Sequence, residues 1–153
     1  MTFHQAISVQ TQDFDLSSEY QALRQHSHGI GAIVQFVGLM RDLNDGQTVK
    51  GMTLEHYPGM TEKSLAAIIA EASSRWPLQG VRLIHRVGPL TPNDQIVLVT
   101  VASAHRQAAF EGCHFIMDFL KTRAPFWKKE HTEDGHRWVE AKDSDQQAAK
   151  DWD

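Results

Sequence analysis

The sequence predicts an α+β fold: a mixed or antiparallel sheet with two long helices. Three observations carry that expectation. Segments 58–76 and 103–123 repeat apolar residues at helical spacing. Several shorter segments are rich in β-branched and aromatic residues. Helical and strand segments follow one another without strict alternation, which separates the chain from the α/β class. At 153 residues the whole chain, 1–153, fits one domain. A core of that size needs no disulfide or metal staple.

The elements follow in order. "FHQAISVQ" (3–10) reads as a first strand. In "LSSEYQALRQHSHG", Ser17 or Ser18 is the expected N-cap and Gly29 the expected stop of a short helix. "IGAIVQFVGLM" (30–40) reads as a buried strand from its Ile-Val-Phe-Val content, and "VKGMTLEHY" (49–57) as another. Asp45-Gly46 between them fits a hairpin turn. In 58–76, Leu65, Ile68, Ile69 and Ala72 share a helical face, and Pro77 ends the run. "VRLIHRV" (81–87) and "QIVLVTVAS" (95–103) are strands joined by "GPLTPND". In 103–123, Ala109, Cys113, Ile116 and Leu120 form a core stripe, and Pro125 stops the helix. "FWKKEH" and "HRWVEA" then suit a hairpin about Glu133-Asp134-Gly135.

Charge and composition exclude several function classes. The net charge is -4, so a broad nucleic-acid or membrane-binding surface is not expected. Any anion site must be a local concentration of cations. Cys113 is the sole cysteine, which excludes an intrachain disulfide and a cysteine-based zinc cluster. Its place on the apolar stripe favours a small buried hydrophobe over a nucleophile. The start lacks signal-peptide features, and no apolar run approaches the ~20 residues that span a bilayer. The expected location is the cytoplasm. No phosphate loop, dinucleotide fingerprint or His-Glu-x-x-His motif is present. His26/His28 and His131/His136 lack a third ligand at supporting spacing, so neither a metal nor another cofactor is expected.

Positive charge is concentrated in two places. Ser103 is the expected N-cap of the second long helix, which puts His105 and Arg106 in its first turn. Cations there oppose the helix dipole by about 0.3–1 kcal/mol. Either an anion docked on the free N–H groups offsets that cost, or Arg106 turns away to a surface carboxylate. "KTRAPFWKKE" (121–130) is the second concentration. Lys121 in the last helical turn suits the dipole without any function. Lys128 and Lys129 alternate faces of a strand, so one of them can share a site with Lys121, or both can sit on a solvated hairpin. Phe126 and Trp127 split the same way, one inward and one outward. Arg41 ends a strand at a polar loop, a common place for functional side chains as well as for plain surface arginines. His105 and Lys121 are 16 residues apart on one helix. That is roughly 24 Å at about 1.5 Å per residue. One small ligand reaches both only if a twofold dimer sets one helix start beside the partner's helix end.

"LEHYPGMTEKSLAAI" (54–68), "IHRVGPLTPND" (84–94), "SAHRQAAFEGCHFIMDFLKTRAPFWKKE" (103–130) and "RWVEAKDSDQQAAK" (137–150) closely resemble the large, catalytic subunit of molybdopterin synthase. The likeness runs from about Gly31 to the C-terminus, with four blocks in the family's order. It implies an α+β fold with a hammerhead-like subdomain. It implies a cytoplasmic sulfurtransferase that converts cyclic pyranopterin monophosphate to molybdopterin. The sulfur comes from the C-terminal Gly-Gly thiocarboxylate of a small ubiquitin-like partner. The expected assembly is a homodimer core carrying a small subunit at each end, with no nucleic acid and no membrane.

The resemblance also assigns residues. Lys121 and Lys128 are the expected catalytic pair, since a lysine beside other cations is suited to proton transfer or transient covalent chemistry. Arg41, His105 and Arg106 match the family's pocket, with His105 and Arg106 supplied by the opposite subunit. The Leu39–Met40 backbone and Lys129 with Glu130 border it. Lys142 stands where the family often has arginine, keeping the charge but losing the bidentate fork. Arg41-Asp42-Leu43-Asn44 replaces the family's usual Arg-Asn-His-Asn. Two other readings are a single-strand nucleic-acid module using "APFWKK" and a noncatalytic dimeric scaffold that grips a protein tail.

Overall fold

The computed structural model describes residues 2–44, 46–132, 135–139 and 143–152. The chain runs β1 (His4–Gln10), α1 (Leu16–Arg24), β2 (Ala32–Leu39), β3 (Leu43–Asn44), β4 (Gln47–His56), α2 (Met60–Arg75) and β5 (Leu78–Arg86). It continues through β6 (Gly88–Leu90), β7 (Gln95–Ser103), α3 (Arg106–Arg123), β8 (Phe126–Thr132), β9 (Gly135–Val139) and α4 (Asp143–Lys150). Among the described residues the strands form two sheets, ordered β1-β5-β7-β2 and β3-β4-β8-β9, with β6 against β4. β1 joins β5 in parallel and the remaining pairs are antiparallel. This is the α+β architecture that the sequence predicts.

Both predicted helical stripes are buried: Leu65, Ile68, Ile69 and Ala72 on α2, and Ala109, Cys113, Ile116 and Leu120 on α3. They pack with Val81, Leu83, Val97, Val99 and Val101 of the first sheet into the main core. β7 is buried along nearly its whole length, which its near-continuous apolar run requires of a central strand. A smaller core of Met40, Val49, Met52, Leu54, Val87 and Leu90 lies at the second sheet. Phe126 packs against both cores and ties the start of β8 to each.

Several local expectations are revised. β2 is an edge strand beside β7 and half-buried, with Leu39 at 49% exposure. Its composition signals a strand but not its place in the sheet. The hairpin at Asp45-Gly46 connects β3 to β4 rather than β2 to β4, because β2 is taken by β7; Asp45 itself lies outside the described residues. α1 is capped at Asp15, not at Ser17 or Ser18, and ends at Arg24, well before Gly29. Ser18 Oγ donates to the Asp15 carboxylate at 2.7 Å instead. α3 is capped by His105 rather than Ser103, which closes β7 and donates its hydroxyl to the Pro77 carbonyl at 2.9 Å. β8 and β9 form the predicted hairpin; Glu133 and Asp134 of its turn lie outside the described residues.

β6 and α4 have no counterpart in the sequence-based expectation. β6 is too short to carry a periodicity. α4 is a polar helix that buries Ala149 in the main core and is held further by Trp152 beyond its own end. Trp152 Nε1 donates to Asp118 at 2.6 Å, and its ring meets Trp76 and Phe115 edge-on. Arg75 donates to the Trp152 carbonyl at 2.8 Å.

Candidate active site

The β7–α3 turn decides which predicted residues share an end of the molecule. β7 runs from Gln95 to Ser103, and α3 then returns along it. Lys121, near the end of α3, is therefore carried back toward the Gln95 end. β2 is antiparallel to β7, with Ala32 opposite Ser103 and Leu39 opposite Gln95. Arg41, just beyond Leu39, thus belongs to the same end as Lys121. His105 and Arg106 belong to the opposite end, next to Ala32 and Gly31.

Pro125 stops α3 and lets the chain enter β8 five residues after Lys121. On β8 the side chains alternate, so Phe126, Lys128 and Glu130 share one face and Trp127 and Lys129 the other. Phe126 is inward and Trp127 outward, as the sequence requires. Glu130 is only 6% exposed, and Arg137 of β9 grips it with Nε at 3.0 Å and Nη2 at 2.9 Å. That paired contact holds the hairpin in register beside Lys128. On the opposite face, Lys129 Nζ lies 5.6 Å from the centre of the Trp138 ring. Only Lys128 of the two lysines therefore shares the Phe126 face.

Sequence reasoning assigns no role to His85, yet its ring lies against Phe126 at the start of β8, and its register partner Val97 puts it near the Gln95 end of β7. It is 4% exposed, near the end of β5, and its ring stacks on Phe126 at 3.8 Å and 17°. Nδ1 lies 2.8 Å from the Arg86 carbonyl. A carbonyl only accepts, so Nδ1 carries the proton and Nε2 the lone pair. Burial holds the ring's pKa down to about 3; the bond to Arg86 opposes this, and Lys121, Lys128 and His56 add to it. The ring is therefore buried and uncharged at neutral pH. The only signal in the sequence is a polar residue at an inward position of a strand otherwise filled by Val81 and Leu83.

The Leu39–Arg41 segment is tied to the same end by its backbone. Met40 N–H donates to the Asp94 carbonyl at 2.9 Å, and Asn93 N–H donates to the Met40 carbonyl at 2.8 Å. Met40 is buried in the smaller core beside Leu54, whose register partners are Lys128 and Gly88. Arg41 is exposed beyond that anchor. His105 and Arg106 are exposed at the start of α3, with no acidic residue in the first turn and no side-chain cap. Within one chain they do not join the lysines. Lys142 lies outside the described residues.

Other titratable groups are occupied elsewhere. Arg123 pairs with Glu71 at 2.8 Å and stacks over Phe119. Burial pushes the Cys113 thiol up to about 12, which suits a packing residue and not a nucleophile. His131 and His136 meet through their Nδ1 atoms, and among the described residues no three metal-ligating side chains converge. A cavity of about 330 Å³ between β1, α1 and β5 includes Arg82, but its guanidinium is held by Glu19 at 3.0 Å and His4 at 2.9 Å. No described helix is long and apolar enough to cross a membrane.

Comparisons with known proteins bear on this arrangement. The family described as "MoaE protein" matches residues 9–123. The molybdopterin synthase catalytic subunit of Pseudomonas aeruginosa is 60% identical over 147 residues, covering 96% of this chain and 98% of that protein. The molybdopterin biosynthesis MoaE protein of Burkholderia ambifaria superimposes with a TM-score of 0.84 at 54% identity, covering 97% of each chain. A chain of the complex of subunits 1 and 2 of molybdopterin-converting factor from Helicobacter pylori shares the fold, with a TM-score of 0.70 at 18% identity over 90% of each chain.

Proposed function

The chain belongs to the MoaE protein family, and on that premise we propose how its residues carry out sulfur transfer as the catalytic subunit of a molybdopterin synthase. The reaction builds the dithiolene of molybdopterin on cyclic pyranopterin monophosphate. The sulfur arrives on the C-terminal thiocarboxylate of a small partner subunit. Substrate phosphate and donor tail are both anions, so the site must cancel their repulsion in a partly dehydrated cleft.

The observation that supports this reading best is topological: α3 returns along β7 and β2 lies antiparallel to β7, so Lys121 and Arg41 share one end of the molecule, and β8 begins five residues after Lys121 with Lys128 on its Phe126 face. The two lysines are the reacting pair. One of them engages the thiocarboxylate carbon or the substrate while the other balances charge. Arg41 grips phosphate through its fork. The Leu39–Met40 backbone and Glu130 border the cleft, Lys129 stands on the far face of β8 over Trp138, and Lys142 supplies a further cation. His105 and Arg106 complete the site from a second copy of the chain, because α3 carries them away from the lysines of their own chain. The working particle is a homodimer with a small subunit at each end, in the cytoplasm.

The test combines the purified chain with thiocarboxylated small subunit and cyclic pyranopterin monophosphate. Dithiolene product is expected. A complex that forms with the small subunit but yields no product contradicts the catalytic reading.

A further inference from the structure

We propose that His131 and His136 form a two-histidine clamp for a divalent ion of the zinc and copper class, closing the β8–β9 hairpin through their Nδ1 atoms. The two residues are direct register partners on adjacent antiparallel strands. Side chains in such a pair start about 5 Å apart on the same face. Their ring centres are 4.4 Å apart and the ring planes meet at 88°, with the two Nδ1 atoms turned toward each other. Two ring nitrogens do not face one another with two lone pairs or with two protons. Either one shared proton or one cation lies between them.

The other nitrogen of His131 suits the cation. Nε2 lies 3.1 Å from Thr53 Oγ1 of β4. That hydroxyl oxygen accepts the Nε2 proton, which leaves the Nδ1 lone pair for a metal. A metal-bound histidine typically hands its second N–H to such an outer partner, which fixes both ring and tautomer. Gly51, the register partner of His131 on β4, places no side chain beside the ring. His136 is exposed, so its ring can turn outward as an ion enters. Two neutral imidazoles select Zn2+, Cu2+ or Ni2+ over Mg2+ and Ca2+, which take oxygen ligands. No third protein ligand converges among the described residues, so water completes the coordination and the ion is held reversibly. The pair lies on the Lys129–Trp138 face of the hairpin, opposite Phe126 and Lys128. A bound ion therefore ties β9 to the strand that carries Lys128, and it does so whether or not Lys128 reacts.

The test uses the full chain without a histidine tag, and zinc chloride as the probe. In 15N-histidine-labelled protein, Zn2+ is expected to move the Nδ1 signals of His131 and His136 together and saturably, while Mg2+ moves neither. In calorimetry, His131→Ala and His136→Ala should each weaken Zn2+ binding by more than about tenfold, and Thr53→Val by about tenfold, the scale of losing an outer partner. His28→Ala, at an exposed histidine outside the pair, should leave binding unchanged. The wild-type spectrum decides independently of any change that a substitution makes to the hairpin. Nδ1 signals of both residues that stay in place in excess Zn2+ mean a shared proton only and overturn the proposal. Zn2+ binding that survives both alanine substitutions at full strength overturns it as well.

Discussion

Lys121 is exposed at the end of α3 and forms no part of the core, so its removal separates chemistry from stability. Lys121→Ala is expected to lower sulfur transfer at least 100-fold, the scale of losing a reacting group, while the melting temperature stays within a degree or two. His85 behaves differently. Its pKa is about 3 in the fold, against about 6.5 in an unfolded chain. The unfolded state therefore binds the extra proton between those values. The stability associated with the neutral ring is fully present above about pH 6.5 and is lost as pH falls toward 3, at no more than ~1.4 kcal/mol per pH unit. Denaturant titrations of wild type and His85→Phe at pH 7 and pH 4.5 should show the variant losing less stability on acidification. Equal losses would contradict the buried neutral state. Cys113 gives a third expectation at this scale: it should resist iodoacetamide in the native protein at pH 8 and react on unfolding.

At the scale of elements, the β7–α3 turn sets where His105 stands. A Cβ on Gly31 would lie 2.1 Å from the Ala104 carbonyl oxygen, a backbone atom, so the turn itself must shift to admit it. Gly31→Ala should push this turn outward, lowering stability by about 1–3 kcal/mol and impairing sulfur transfer through the displaced His105 and Arg106. Loss of stability with undiminished turnover would show that the turn does not position the site. The long helices were legible in the sequence because their apolar stripes and the prolines at 77 and 125 are local signals. The edge position of β2 and the β3–β4 hairpin were not, because pairing depends on which strand claims β7. The cap of α3 moved from Ser103 to His105 because the Ser103 hydroxyl is used by Pro77 across the fold. α4 escaped notice because its sequence is polar apart from Ala148 and Ala149, and Trp152, which helps to anchor it, lies outside the helix. In the site, Lys128 and Lys129 were separable by strand alternation alone. His85 was not identifiable, because its stacking partner Phe126 lies 41 positions away in the chain.

For the whole molecule, the cations of one chain fall into two groups at opposite ends of α3. Arg41, Lys121 and Lys128 belong to one end and His105 and Arg106 to the other. A dimer that brings the two ends together makes each site depend on both chains. The most direct measurement is complementation between two inactive variants, Lys121→Ala and Arg106→Ala, coexpressed with different tags and purified as mixed dimers. Each mixed dimer should contain one doubly damaged site and one intact site. Random pairing in an unselected mixture should restore roughly a quarter of the wild-type sites. Mixed dimers that turn over at about half the wild-type rate per dimer are the predicted result. Mixed dimers as inactive as either parent would contradict a site shared across the twofold axis.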